Sequence, residues 1–279
     1  MPPVLRRGSR GPVVELLQQQ LKTAGFSPGR IDGVFGWGTE TALTSFQRSH
    51  DLLVDGVAGP LTWKRLTGLP EGQVADLSHR IDVAFVAELF PYTPIPPIRR
   101  HLPAVLAGLR AAGLIDKPML LMALATIRAE SEGFAPVAEQ VSRFNTSPDG
   151  VDFDLYDHRR DLGNLGPPHG RLFRGRGFVQ LTGRDNYRRY GEAIGLGDRL
   201  ACDPDRALEP GIAGRLLAAF LADRERPIKE ALLDGDLARA RRLVNGGRHG
   251  LDRFTAAYRT GDSLLADQVW KEPVGMVPV

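Results

Sequence analysis

Two glutamates nine residues apart, Glu130 and Glu139, flank a Gly/Pro break at Gly133-Phe-Ala-Pro136. Cleavage of a glycosidic bond calls for such a pair, one carboxyl protonating the leaving oxygen while the other activates water or attacks. Glu130 ends the apolar run Met119-Leu-Leu-Met-Ala-Leu-Ala-Thr-Ile127, at the edge of its buried stripe. That position suits a general acid, and it equally suits a carboxylate that caps a helix edge and pairs with an arginine. Glu132 competes for the role but falls on a different helical azimuth, which points to a supporting or surface position. Further on, Phe178-Val-Gln-Leu-Thr182 alternates like a short strand, which puts Gln180 and Thr182 on one face. Asn186 follows beyond a glycine turn. This amide-hydroxyl-amide set offers the paired hydrogen bonds that sugar hydroxyls and N-acetyl groups demand, or it could hold a hydrolytic water. A phosphate loop at Gly175-Arg-Gly177 is disfavoured, since no Gly-Lys-Ser/Thr and no βαβ pattern accompany it.

These residues need elements to hold them. Asp116 can cap a helix that starts near Pro118 and carries Glu130, with Gly133 as its stop. An amphipathic helix over Arg99 to Leu114 precedes it and, given the short connection, is expected to pack antiparallel against it. Phe90 to Pro97 holds four prolines and is expected to be non-helical. Later helices are read over 210–223, 227–233, 237–244 and 251–265. The segment 68–80 reads as a linker and 266–279 as a loosely held tail. The first 67 residues read as three short helices, over Val13–Leu21, Thr39–Gln47 and Leu61–Leu66. The turn Asp32-Gly-Val-Phe-Gly36 recurs weakly as Asp55-Gly-Val-Ala-Gly59, so two similar helix entries should share one small unit.

Composition bounds the class. The chain has 279 residues, 42% hydrophobic and 25% charged, with a net charge of +3. This is room for two globular domains. The mild basic balance suits an anionic polymer or an ordinary solvated surface. Cys202 is the single cysteine, which excludes an intrachain disulfide and a cysteine-based metal site. His158, His169 and His249 lack ligand spacing, so no metal and no cofactor is expected. No stretch has the apolar length of a membrane span. Met1 to Ser9 lacks the apolar core of a secretory signal, so synthesis in the cytoplasm is expected.

The first region, about Leu5 to Leu66, resembles the peptidoglycan-binding domain type 1 family. The match runs through Gly8 and Gly11, the Asp32 to Gly36 turn, Thr39, Phe46-Gln47, Asp55 to Gly59 and Thr62-Trp63. The resemblance implies a wall-anchoring module in which Asp32, Phe35, Asp55 and Trp63 line a ligand groove. The rival reading places Phe35 and Trp63 in the core and the two aspartates in turns.

Residues from about 81 to 265 resemble glycoside hydrolase family 19, the chitinase-like lysozymes of bacteria and phages. Its first motif, His-Glu-Ser/Thr-x-Gly-Phe, reads Ala129-Glu-Ser-Glu-Gly-Phe134 here, with alanine in place of the histidine. The motif Arg-Gly-Arg-Gly-x-x-Gln-Leu-Thr-Gly-x-x-Asn-Tyr is complete from Arg174 to Tyr187, and Val244-Asn-Gly-Gly247 matches a late motif. Where the family often has Gly-Asp-Gly, Pro168-His-Gly170 stands instead. The resemblance implies catalysis by Glu130 as general acid and Glu139 as general base with Thr182. It implies substrate contacts from Gln180, Asn186, Asn245, Tyr187 and Arg176, while the residues themselves favour Arg174 and Arg176 as braces for the cleft carboxylates or loop carbonyls.

The fold expected is mainly α: a three-helix wall-binding domain over 1–67, then a lysozyme-like, mostly α-helical catalytic domain with a small β element. The activity this implies is an endolysin-type, inverting cleavage of β-1,4 bonds in bacterial peptidoglycan. The alternatives are a chitinase acting on β-1,4 GlcNAc polymers and a non-catalytic wall-binding protein. The expected partner is the peptidoglycan glycan strand, met by a monomer after release through a holin-type pore. No nucleic acid or membrane insertion is expected.

Overall fold

The computed structural model describes residues 4–50, 52–67, 76–245 and 250–265. The described chain is mostly helical. In order, its helices and strands are α1 (Pro12–Thr23), α2 (Trp37–Ser49), α3 (Pro60–Thr67), α4 (Val83–Leu89), α5 (Ile95–Ala111), α6 (Lys117–Glu130), β1 (Val137–Ala138), α7 (Asp154–Asp157) and α8 (His169–Leu172). They continue as β2 (Arg176–Gly177), α9 (Arg184–Ala193), α10 (Arg199–Cys202), α11 (Pro210–Ala222), α12 (Glu225–Leu233), α13 (Leu237–Asn245) and α14 (Leu251–Leu264). Two compact units result: Met1–Asp76 with Arg224–Leu243, and Leu77–Asp223 with Val244–Val279. The first unit therefore holds α12 and most of α13 as well as the three N-terminal helices. The expected tail, 266–279, and most of the expected linker, 68–75, lie outside the described residues. Leu77 and Ser78, read as linker, are buried, and the Leu77 amide donates to the Ile115 carbonyl at 3.0 Å.

In the first unit, Leu17, Leu21, Phe35, Leu43, Phe46 and Trp63 form the core between α1, α2 and α3. The repeat seen in the turns extends to two buried amides. Gln18 Oε1 accepts from the amides of Asp32 and Gly33, both at 3.0 Å, while its Nε2 reaches Asp32 Oδ1, the Val34 carbonyl and Thr39 Oγ1 at 3.2, 3.1 and 3.0 Å. Gln47 does the same one helix later. Its Oε1 accepts from Asp55 and Gly56 at 3.2 and 3.0 Å, and its Nε2 reaches Asp55 Oδ1, the Val57 carbonyl and Thr62 Oγ1 at 2.9, 3.0 and 3.3 Å. Each glutamine satisfies a buried turn that the backbone alone would leave unpaired.

In the second unit, α6 is the central element. Asp116 caps it by accepting from the Met119 amide at 3.2 Å, and Pro118 sits in its first turn. Every residue from Met119 to Ala129 is buried, so the helix is enclosed on all sides and its apolar character carries no stripe. It ends at Glu130, before Gly133, because Ser131 turns extended. Against expectation, α5 packs chiefly on α11, and α6 on α14. Glycines explain the α5–α11 choice: a Cβ on Gly108 would stand 2.3 Å from the Gly214 carbonyl, and one on Gly214 2.3 Å from the Ala104 carbonyl. Only glycine on both helices permits this backbone approach. α5 also starts earlier than expected, at Ile95. Pro96 and Pro97 fall in a first turn, where a missing amide costs no helical hydrogen bond.

The β element is one antiparallel pair, Val137 opposite Gly177 and Ala138 opposite Arg176. The strand expected at Phe178–Thr182 is instead a tight reversal. Arg176 and Leu181 exchange backbone hydrogen bonds of 3.2 and 2.9 Å, and Gln180 lies at φ 50° between them. The left-handed turn moves Gln180 out of any alternating register.

Candidate functional site

Glu139 leaves β1 with its amide donating to the Gly175 carbonyl at 2.8 Å. Its carboxylate is held by three donors. Oε1 accepts from Asn145 Nδ2 at 3.0 Å and from the Tyr156 hydroxyl at 2.9 Å, and Oε2 accepts from the Gly175 amide at 3.0 Å. Hydrogen bonds to an ionised group contribute about 1.5–3 kcal/mol each, so this carboxylate has one strongly preferred orientation. Asn145 is fully buried and is itself fixed: its Oδ1 accepts from the Ser142 amide and the Thr146 hydroxyl at 2.8 and 2.9 Å, and its Nδ2 also reaches the Gln140 carbonyl. Burial pushes the Tyr156 phenol up to about 12, with the bond to Glu139 adding to the shift, so the group remains a donor at neutral pH.

Three of the expected residues meet at Gly175. A Cβ there would stand 2.7 Å from Gln180 Oε1 and 3.1 Å from both Glu139 Oε2 and Thr182 Oγ1. The bare glycine backbone therefore lies under a cluster of one carboxylate, one amide oxygen and one hydroxyl. Gln180 is oriented by its Nε2, which donates to the Val137 carbonyl at 3.1 Å. Thr182 Oγ1 donates to the Gln180 carbonyl at 2.8 Å, and Asn186 Nδ2 donates to the Thr182 carbonyl at 2.7 Å. The reversal thus ties Gln180, Thr182 and Asn186 into one chain of hydrogen bonds beside Glu139.

Glu130 is the last residue of α6 and is half-buried, between buried Ala129 and buried Ser131. Glu132, its competitor, is exposed and bound to two arginines: Arg253 Nη1 at 3.0 Å and Arg128 Nη1 at 3.2 Å. The hydrogen bond from Arg253, then that from Arg128, holds its carboxyl below the usual range. Glu132 is thereby committed to clamping α14 onto the end of α6, where Arg253 Nη2 also reaches the Ala129 carbonyl at 3.2 Å. Asn245 ends α13 and is half-buried; Gly246 and Gly247 of its motif lie outside the described residues.

Two expected substrate contacts are corrected by burial. Tyr187 and Arg176 are 0% and 2% exposed. Arg176 donates to the Leu172 and Arg174 carbonyls at 3.0 and 3.1 Å and to the Tyr187 hydroxyl at 3.1 Å, and it pairs with Asp205 at 2.7 Å. The Tyr187 hydroxyl donates to the Arg174 carbonyl at 2.8 Å. Both side chains brace the Arg174–Gly177 backbone from beneath and cannot touch a polymer.

In the first unit two of the four expected groove residues, Phe35 and Trp63, turn inward, while Asp32 is exposed and Asp55 half-buried. Phe35 and Trp63 are 1% and 2% exposed and belong to the core. Asp32 Oδ1 accepts from the Val34 amide at 3.0 Å, and Asp55 Oδ1 accepts from the Val57 amide at 2.8 Å. Both aspartates thus serve their own turns. Asp55 Oδ2 is further paired with Arg226 of α12 at 2.5 Å.

Among the described residues no helix is long and apolar enough to cross a membrane, and no group of three or more His, Cys, Asp or Glu could hold a metal ion. Asn145 and Tyr156 are the site residues that sequence reasoning missed. They lie in an aperiodic loop, where spacing carries no signal.

Residues 10–66 match the family model of a peptidoglycan binding domain, so the chain carries that domain at its N-terminus. Over 63 residues, 23% of this chain, it is 51% identical to a spore cortex-lytic enzyme of Bacillus cereus, of which the match covers 24%. The match thus spans about a quarter of that relative's length. A glycosyl hydrolase family 19 domain-containing protein of Haemophilus influenzae is 26% identical over 179 residues, covering 56% of this chain and 84% of that protein. Among solved structures, the endolysin of Burkholderia phage AP3 is 21% identical, covering 93% of this chain and 98% of that one, with a TM-score of 0.30.

Proposed function

We propose that the protein is a modular peptidoglycan hydrolase that cleaves a β-1,4 glycosidic bond of the glycan strand. Its N-terminal unit holds the wall, and its second unit does the chemistry. The observation that carries this reading is the Glu139 carboxylate, held by Asn145, Tyr156 and Gly175 and flanked by Gln180 Oε1 and Thr182 Oγ1. A carboxylate fixed this way can take one proton from a water whose other hydrogen is donated to Gln180 Oε1 or to Thr182 Oγ1. Glu130, half-buried at the end of the central helix, supplies the second carboxyl and protonates the leaving oxygen. The reaction is inverting, for which the two carboxyls stand about 6.5–9.5 Å apart. Asn186 and Asn245 bind sugar substituents. The names of the matched relatives agree with wall hydrolysis in general, and the resemblance of Arg174–Tyr187 to family 19 hydrolases supports the glycosidic bond in particular.

Mass spectrometry of purified peptidoglycan treated with the full chain tests the reading. The expected products are muropeptides with new reducing sugar ends. Products with intact glycan and cleaved peptide or amide bonds would replace it with an amidase or peptidase reading. Degradation of chitin oligomers with no effect on peptidoglycan would replace it with the chitinase reading.

A further inference from the structure

With Phe35 and Trp63 committed to the core, an aromatic wall contact of the first unit comes from another residue. Trp37 stands out. It opens α2, yet its indole is 69% exposed, whereas Trp63 in the same unit is buried. The guanidinium of Arg7 lies over the ring, 3.8 Å from its centroid, and Arg7 Nη1 is 3.5 Å from Glu40 Oε2, one turn along α2. The backbone beneath is fixed: a Cβ on Gly38 would stand 2.6 Å from the Pro28 carbonyl, so the first turn of α2 is seated directly on the Pro28 turn. The turn that carries Arg7 is tied down beside it, with the Gly8 amide donating to the Phe35 carbonyl at 2.9 Å. An exposed indole thus carries a stacked cation that is itself paired with a carboxylate.

We propose that Trp37 and Arg7 form the glycan-contacting site of the first unit. The apolar C–H face of an N-acetylhexosamine ring packs on the indole, and an acetamido or carboxylate oxygen of the same strand accepts from the guanidinium. The chemistry matches on both sides. A large rigid aromatic offers contact area at low conformational cost, and its Nε1–H can donate to a sugar oxygen. Arg7 supplies several donors in a planar fork suited to carbonyl and carboxylate oxygens. The proposal rests on the reading that this unit binds the wall, since the peptidoglycan binding domain match spans Trp37.

The test is co-sedimentation of the full chain with purified insoluble peptidoglycan. Wild-type protein is expected to pellet, Trp37→Ala and Arg7→Ala to bind about tenfold or more weakly, and Leu53→Ala, at another exposed apolar residue of the same unit, to bind like wild type. Unchanged thermal melting of each variant shows that the fold is kept. Wild-type binding that survives Trp37→Ala overturns the site while leaving wall binding in place. Equal loss in Leu53→Ala also overturns it, because the surface would then be generic. No pelleting by the wild type overturns wall binding itself and the site with it.

Discussion

The Tyr156 hydroxyl donates a 2.9 Å hydrogen bond to Glu139, from a phenol whose own ionisation burial has pushed up to about 12. The phenol therefore keeps its proton and remains the donor at neutral pH. Tyr156→Phe removes it while keeping the ring. A lost bond to a charged group of about 1.5–3 kcal/mol corresponds to roughly a 10- to 100-fold loss of kcat. Lysis rates on purified peptidoglycan measure it; an unchanged kcat would separate Tyr156 from the site.

Gly175 is the point where Glu139, Gln180 and Thr182 converge. Gly175→Ala places a methyl 2.7 Å from Gln180 Oε1 and 3.1 Å from the other two oxygens. These side chains must move apart, and misplacement by about 1 Å costs around 100-fold in rate. Activity is expected to fall by about that factor with circular dichroism unchanged. Near-normal turnover would mean that the cluster is not where catalysis happens.

Gln18 and Gln47 make the same contacts at successive turns. Replacing either with Ala leaves buried turn amides without an acceptor, at about 1–3 kcal/mol for each such group. Denaturant unfolding should show losses of that order for both variants and of similar size. A large effect at one site alone would show that the repeat is geometric without being energetic.

His101 is buried against Phe178, and burial first, then the charge of Arg100, holds its imidazole below the ordinary 6.5. The unfolded chain then takes up a proton before the folded one as pH falls. Stability contributed by this group is present above 6.5 and declines as pH drops through that value toward the lower folded one. Melting temperatures recorded between about pH 7.5 and 5.5 are expected to fall more steeply for the wild type than for His101→Gln. Parallel curves would contradict this.

Much of the helical frame was legible because capping and periodicity are local. Asp116 and Pro118 mark the start of α6 correctly, and α11 to α14 fall within a few residues of their expected spans. Partners were less legible. The close approach of α5 to α11 depends on Gly108 and Gly214, more than a hundred residues apart, and nothing in either helix alone announces it. Residue types in the family motifs point to Glu139, Gln180 and Thr182, which the fold brings together around Gly175. They do not distinguish a residue facing a ligand from one bracing the loop beneath, which is where the family motif misleads at Tyr187. The alternation at Phe178–Thr182 suggested a strand because periodicity does not report the left-handed turn at Gln180. Asn145 and Tyr156 reach Glu139 from a loop without periodicity, where only the folded chain brings them together.

The central claim is that Glu130 and Glu139 cleave a glycan bond with water as the nucleophile. The most direct measurement is digestion of purified peptidoglycan in ¹⁸O-labelled water by the wild type, Glu130→Gln and Glu139→Gln, with mass spectrometry of the products. The account predicts ¹⁸O at new reducing sugar ends with the wild type and loss of those products in both variants, each still binding the wall. Label in peptide carboxyls, or undiminished sugar cleavage by Glu130→Gln or Glu139→Gln, would contradict it.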